Sequence, residues 1–271
     1  MPSETQTYPA ATEQLIVHFI DVGQGDAIFI QTPEQNILID GGEREDTVVQ
    51  YLENQSVTAL DLVVGTHPHS DHIGGLINVL EKYPVKEIID PAVVHTTKTF
   101  EDYLTLIEQK GIKFTVGRSG MSRDLGGNVK MTLLHPGSPS SSDLNNASIV
   151  TKITFGQINF LLAADAEESA EQEILAQNSV SLASTILKLG HHGSITGTTP
   201  AFLTAVSPEI AVIMCGKDNK YSHPHEETLQ KLTEAGVKLY RTDLHGTIVI
   251  TTNGQTYAVS CSKETEDRYA K

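Results

Sequence analysis

Apolar positions along this chain fall into short runs of strand length, separated by turns rich in Gly, Pro, Asn and Asp. Gln14 to Ile20 and Asp26 to Gln31 read as strands, and Thr32-Pro33-Glu34-Gln35-Asn36 as the turn that returns the chain through Ile37 to Asp40. Asp40-Gly41-Gly42 closes this hairpin, the glycines permitting tight backbone at the strand's end. Val48, Val49 and Leu52 give Glu45 to Gln55 helical spacing. A β-branched run, Leu60 to Thr66, then leads into His67-Pro68-His69-Ser70-Asp71-His72, and Ile73-Gly74-Gly75-Leu76-Ile77-Asn78-Val79-Leu80 begins a helix. Next come a short strand near Val85 to Ile89, a helix over Tyr103 to Lys110 stopped by Gly111, and a strand over Ile112 to Val116. Gly117 to Gly127 reads as a loop before strand Val129 to Leu134.

The second half repeats this grammar. Ala147 to Phe155 and Gln157 to Leu162 form a hairpin about Gly156 that runs on to Asp165. Glu167 to Gln177 is a helix with acidic residues in its first turn, as its dipole prefers. Thr185 to Leu189 is a strand delivering Gly190-His191-His192-Gly193-Ser194. Helix Pro200 to Val206, strand Ile210 to Met214, helix Glu226 to Ala235, strand Val237 to Tyr240 and a hairpin from Thr247 to Val259 complete the order. Strand-rich halves interleaved with helices define an α/β chain; periodicity alone goes no further.

With 271 residues, 39% of them hydrophobic, the chain suits one large core. We expect a polar N-terminal extension over residues 1–14, a single domain over 15–261 and a polar tail over 262–271. No apolar run approaches the ~20 residues a membrane helix needs, and the first 14 residues lack the apolar centre of a signal peptide. A net charge of −15 opposes indiscriminate nucleic-acid binding, although divalent cations would offset part of it locally. Cys215, inside an apolar run, reads as a buried thiol; a bond to Cys261 would require export.

Chemistry concentrates at the strand-to-helix turn. His67 and His69 are two apart and can converge on one cation, while Asp71 and His72 open the helix and can face a second. Imidazoles with a carboxylate suit zinc, manganese or iron(II). Later strand ends add Asp165, whose burial without a partner would be costly, and the pair His191-His192. Lys188, Lys217, Lys220 and Arg241 stand near strand ends or in loops where a phosphate could be met, but lysines of this kind are mostly solvated and none is given a role.

The H-x-H-x-D-H turn followed by Gly-Gly, after a hydrophobic strand, resembles the metallo-β-lactamase superfamily. The wider set HFIDVGQGDAIFI, ILIDGG, THPHSDHIGGL, LNNASIV, LLAADAE, KLGHHGS and YSHPH is similar to the hydrolase domain of the ComEC/Rec2 competence proteins, from about Val17 to Ser260. This resemblance implies a four-layer αββα sandwich and a hydrolase with two divalent ions, Zn or Mn. It implies that Asp165 bridges the ions, that His67, His69, Asp71 and His72 ligate, and that one histidine of the later pair joins them. His191, nearer the strand, is favoured as that ligand, leaving His192 to face the substrate. Asp40 is expected to orient the histidine turn by accepting an imidazole N–H. Asp26 belongs to the competence-type pattern with its role open between turn and site. Where many members carry a third-motif histidine, this chain has Asn145-Asn146, so Asn146 becomes a weak candidate ligand and the ion near His67 and His69 should be loosely held. His223 is expected to line the substrate cleft, and His135 to lie outside the metal shell.

The implied reaction is attack by metal-activated water, with Asp71, His191, His192 and His223 as the candidate catalytic groups. The substrate expected first is a phosphodiester, DNA above others. A phosphocholine-type esterase, a lactonase or β-lactamase-like acyl hydrolase, and a metal-binding module without turnover are the alternatives. The chain is expected to act as a monomer, exported or at the cell surface.

Overall fold

The computed structural model describes residues 14–138, 143–177 and 180–264. The expected N-terminal extension, save Gln14, and tail residues 265–271 lie outside them. The strands are β1 (Leu15–Phe19), β2 (Ile28–Gln31), β3 (Asn36–Ile39), β4 (Leu60–Val64), β5 (Val85–Asp90), β6 (Lys113–Val116), β7 (Ser122–Asp124), β8 (Lys130–His135), β9 (Val150–Phe155), β10 (Ile158–Leu162), β11 (Ile186–Lys188), β12 (Ile210–Ile213), β13 (Lys238–Arg241), β14 (Ile248–Thr252) and β15 (Tyr257–Cys261). The α-helices are α1 (Thr47–Asn54), α2 (Ser70–Lys82), α3 (Lys98–Lys110), α4 (Glu168–Ala176), α5 (Pro200–Val206), α6 (Glu226–Glu234) and α7 (Thr242–His245).

Alternation along the strands divides the apolar side chains between two faces. Ile28, Ile30, Ile37, Ile39, Leu62 and Val64 point inward to meet Met131, Leu133, Ile153, Phe160, Leu162 and Val212 of the other sheet. Phe29, Leu38 and Val63 point outward under α1, α2 and α3, and Leu161, Leu187 and Ala211 lie under α4, α5 and α6. The sheets run β15-β14-β1-β2-β3-β4-β5-β6 and β13-β12-β11-β10-β9-β8-β7. Two sheets face to face, each covered by helices, form the αββα sandwich that the resemblance implied. Strands β3, β4, β10 and β11, whose C-terminal ends carry the candidate ligands, are each followed by a loop at the same edge of the sandwich.

Three local expectations change. Residues 117–127 are not all loop, because Ser122–Asp124 pairs antiparallel with β8. Helix α3 begins at Lys98 rather than Tyr103, started by Thr97, whose hydroxyl accepts the Phe100 N–H. Thr242–His245 forms a short helix that no apolar spacing announces. Cys215 is buried as expected, and Cys215 and Cys261 are not joined by a disulfide. Among the described residues no helix is long and apolar enough to cross a membrane.

Asp90, at the end of β5, is buried and accepts the Ala92 N–H at 2.7 Å. Burial raises its carboxyl from 3.8 to about 7. The folded state therefore binds a proton that the unfolded chain releases near pH 4. The stability this contributes is complete below about pH 4 and is lost as pH rises through about 7. We expect Asp90→Asn to stabilise the protein above pH 7, by on the order of 4 kcal/mol, with the gain shrinking towards pH 4. Urea melts at several pH values check this; equal slopes for parent and variant would rule out a perturbed Asp90.

Candidate metal centre

The site is built outward from Asp40, which follows β3 with a left-handed backbone (φ 58°) and is fully buried. Its carboxylate accepts the Thr66 N–H at 2.8 Å, the Thr66 hydroxyl at 2.7 Å and the His72 Nδ1–H at 2.8 Å. That fixes the loop after β4 and leaves His72 Nε2 as the nitrogen free to ligate. Helix α2 must approach closely for this: the Gly41 N–H donates to the His72 carbonyl at 2.7 Å. A Cβ on Gly75 would lie 1.9 Å from the Gly41 carbonyl oxygen, so only glycine fits there.

Two groups of donor atoms then converge, each within 4.8 Å of one another. In the first, His67 Nε2 lies 3.0 Å from His69 Nδ1 and 3.7 Å from Asp165 Oδ2. In the second, His72 Nε2 lies 3.3 Å from Asp165 Oδ2 and 4.0 Å from Asp71 Oδ2. His192 Nε2 completes that group, 3.3 Å from Asp71 Oδ2 and 3.4 Å from Asp165 Oδ1. Asp165 belongs to both groups.

The donor set fits divalent cations on its own chemistry. His72 Nε2, His192 Nε2 and Asp165 Oδ1 are buried and lack a hydrogen-bond partner, a costly state unless something else satisfies them. Burial lowers His67 well below the ordinary imidazole value, and neighbouring His72 adds to this. Burial works the same way on His72 and His192, but the carboxylates around them, Asp165 with Asp40 at His72 and Asp165 with Asp26 and Asp71 at His192, together outweigh it and hold both well above that value. Burial would raise Asp71, yet the neighbouring His192 and His72 imidazoles keep its carboxyl below the usual range. Protons on two imidazoles thus stand where a cation would balance the carboxylates.

The choice of His191 as the ligand of the pair is corrected by this geometry. Both residues have left-handed backbones (φ 47° and 54°), which turns the second imidazole inward. His192 donates its Nδ1–H to the Met214 carbonyl at 2.9 Å, so Nε2 faces the carboxylates. His191 stands at the cavity wall, its Nδ1 2.7 Å from Glu167 Oε1 and its Nε2 4.0 Å from Asp165 Oδ2. Asn146 is corrected too: its Oδ1 accepts the N–H groups of Glu167 (3.2 Å) and Ala170 (3.1 Å), starting α4 instead of meeting a metal. The neighbouring Asn145 lines the cavity, with a buried Oδ1 that has no partner. His223 lines it as well, and burial lowers its imidazole to about 4. His135 instead donates to the Ser148 carbonyl through Nδ1.

Asp26 lies behind His192, its Oδ1 3.4 Å from Nδ1. Its other oxygen forms a fully buried ion pair with Lys188, whose ammonium also donates to the Ala164 carbonyl at 2.9 Å. Burial alone would raise the Asp26 carboxyl, but the Lys188 charge holds it below its usual value. Glu167, His95 and Tyr221 are site residues that the sequence did not single out, and Lys188 and Asn145 were named there without a role. Lys188 was visible in principle, since a cation inside an apolar strand requires a partner.

A family model described as the Metallo-beta-lactamase superfamily matches residues 20–217. The chain is 29% identical to ComE operon protein 3 of Bacillus subtilis (strain 168), over 89% of this chain and 33% of that protein. It is 31% identical to Competence protein ComA of Neisseria gonorrhoeae, over 84% of this chain and 31% of that protein. It therefore spans about one third of the length of the curated relatives it matches. Among solved structures, the metallo-beta-lactamase fold protein YhfI of Bacillus subtilis superposes with a TM-score of 0.57 at 15% identity, covering 89% of this chain and 100% of that one.

Proposed function

The chain belongs to the metallo-β-lactamase superfamily, and from that premise we propose that it is a dinuclear metal hydrolase cleaving phosphodiesters, DNA first. The observation that carries this reading is the pair of donor groups sharing Asp165 at the floor of a cavity of about 300 Å³. Two divalent cations, zinc or manganese, held by His67, His69 and Asp165 and by Asp71, His72, Asp165 and His192, would supply activated water near neutral pH and offset charge on the phosphoryl oxygens. Similarity to proteins named for competence supports a DNA substrate. The cavity wall supports a phosphate: His69, His95, His191 and His223 surround the floor with imidazoles able to donate to its oxygens. A panel of single-stranded DNA, duplex DNA, a chromogenic phosphodiester and a lactone, each with Zn and Mn, tests the reading. Preferential lactone turnover would favour acyl hydrolysis, and no turnover with either metal would leave a binding module.

Within this reading His191 and His192 do different work. His192 holds a cation and has no freedom to reach substrate, because Met214 fixes its other nitrogen. His191, oriented by its Nδ1–H to Glu167, presents Nε2 at the wall, where the imidazolium form donates its Nε2 proton to the departing oxygen. We expect His192→Ala to lose one ion together with activity. His191→Ala should retain both ions and lose about 10²–10⁴-fold in kcat, with a smaller loss for diesters whose leaving group needs no help. Metal stoichiometry measured beside kcat separates the two; a His191→Ala protein that loses metal would contradict this division.

A further inference from the structure

Beyond the metal groups, one wall of the cavity carries an aromatic surface of which the hydrolytic reading uses only the His223 imidazole. Tyr221 lies at the rim, 49% exposed, and stacks on His223 with ring centroids 5.6 Å apart and planes 23° from parallel. His223 is nine-tenths buried, its Nδ1 has no hydrogen-bond partner, and its ring lies 5.3 Å from that of His191. The surface thus runs from the rim to the imidazole beside Asp165. Lys220 places its ammonium 4.9 Å from the Tyr221 ring, a cation at the mouth of a chain whose net charge is −15.

The loop that carries these rings is built to hold them. Asn219 donates from Nδ2 to the carbonyls of Gly216 (2.9 Å) and His223 (2.6 Å). Its Oδ1 accepts the N–H groups of Tyr221 (3.1 Å) and His223 (3.0 Å). One side chain therefore satisfies four backbone groups and fixes the backbone that carries both rings. A half-exposed tyrosine held this firmly has little entropy to lose on contact with a flat ligand.

We propose that Tyr221 and His223 form a stacking platform for the base of an unpaired nucleotide whose phosphodiester lies over the Asp165 floor. The proposal rests on the phosphodiesterase reading and narrows its substrate to single strands or frayed ends. Base pairing and stacking inside a duplex leave no free face for Tyr221. A cavity of about 300 Å³ is at the small end for ligand sites and takes one nucleotide, not a double helix. Every base has a π-face, so the platform selects strandedness and not sequence, and Lys220, whose flexible side chain lies over the Tyr221 ring, swings off it as the base arrives and meets the next phosphate along the strand.

The test uses the metal-loaded full chain with single-stranded oligonucleotides of deoxyribose and of ribose, each with its base intact or abasic at the scissile nucleotide. Tyr221→Ala should raise KM for the intact strands about 5- to 100-fold and leave the abasic strands nearly unchanged, and Tyr221→Phe should restore the parent value. A 2-aminopurine at that nucleotide should be quenched on mixing with the parent and with Tyr221→Phe, and not with Tyr221→Ala. A loss on one sugar only would still support stacking and identify the strand. Equal loss on intact and abasic strands, or blunt duplex cleaved as fast as single strand, would overturn the platform while leaving the phosphodiesterase reading standing. Lactone turnover with no strand cleaved would overturn both.

Discussion

Asp165→Asn is expected to strip both ions from the protein and to remove hydrolysis with them. Asp165 is the single side chain common to the two donor groups. It is also the largest influence raising His72 and His192 against the effect of burial. The amide is nearly the same size, so packing survives, but the charge that both cations would share is gone. Asp40→Asn is the informative contrast. Asp40 orients His72 through Nδ1 and belongs to neither ligand group that holds Asp165. Losses of an outer partner of this kind run to roughly 10–100-fold in affinity or activity. We expect Asp40→Asn to fall in that range and Asp165→Asn well beyond it, with elemental analysis showing almost no metal in the latter. An Asp165→Asn protein that keeps two ions would show that the groups do not share this carboxylate.

Much of this site could be read from the chain because its parts are local. The turn from His67 to His72 sits between an apolar strand and a helix, and strand-end position alone brings Asp40, Asp165 and the His191-His192 pair to the same edge. What could not be read depends on backbone angle and on distant partners. Nearness to the strand pointed to His191, but two consecutive left-handed residues reverse which imidazole turns inward. Asn145 and Asn146 share one turn of 3-10 helix, and only the arrival of α4 decides that Asn146 starts a helix while Asn145 faces the cavity. The strand β7 has three residues, too few for alternation to show. Tyr221 reads as an ordinary loop tyrosine until Asn219 folds the loop around it.

The second large effect concerns the floor beneath the site. Lys188→Met should destabilise the protein by roughly 3–5 kcal/mol, the usual cost of leaving one member of a buried ion pair alone. Lys188 and Asp26 are both buried, far from water that could screen the carboxylate. The sign with pH follows from the pairing. In the parent, the Lys188 charge holds the Asp26 carboxyl below its usual value, which adds stability wherever that group is ionised. Without the ammonium, burial dominates and the folded carboxyl rises above its unfolded value. The variant should then be least stable at high pH and recover as pH falls towards the unfolded value near 4. Lys188→Met combined with Asp26→Asn removes both charges and should regain most of the loss. His192 should keep its orientation in that double variant, because Nδ1 donates to the Met214 carbonyl at 2.9 Å and Asp26 is the more distant neighbour at 3.4 Å. Metal content near the parent's would then separate the pair's part in stability from the chemistry above it. Urea unfolding of both variants at pH 5 and pH 8 decides the matter. A single variant that costs only the ~1 kcal/mol of an ordinary substitution, or a double variant no more stable than the single one, would show that this ion pair is not what holds the floor together.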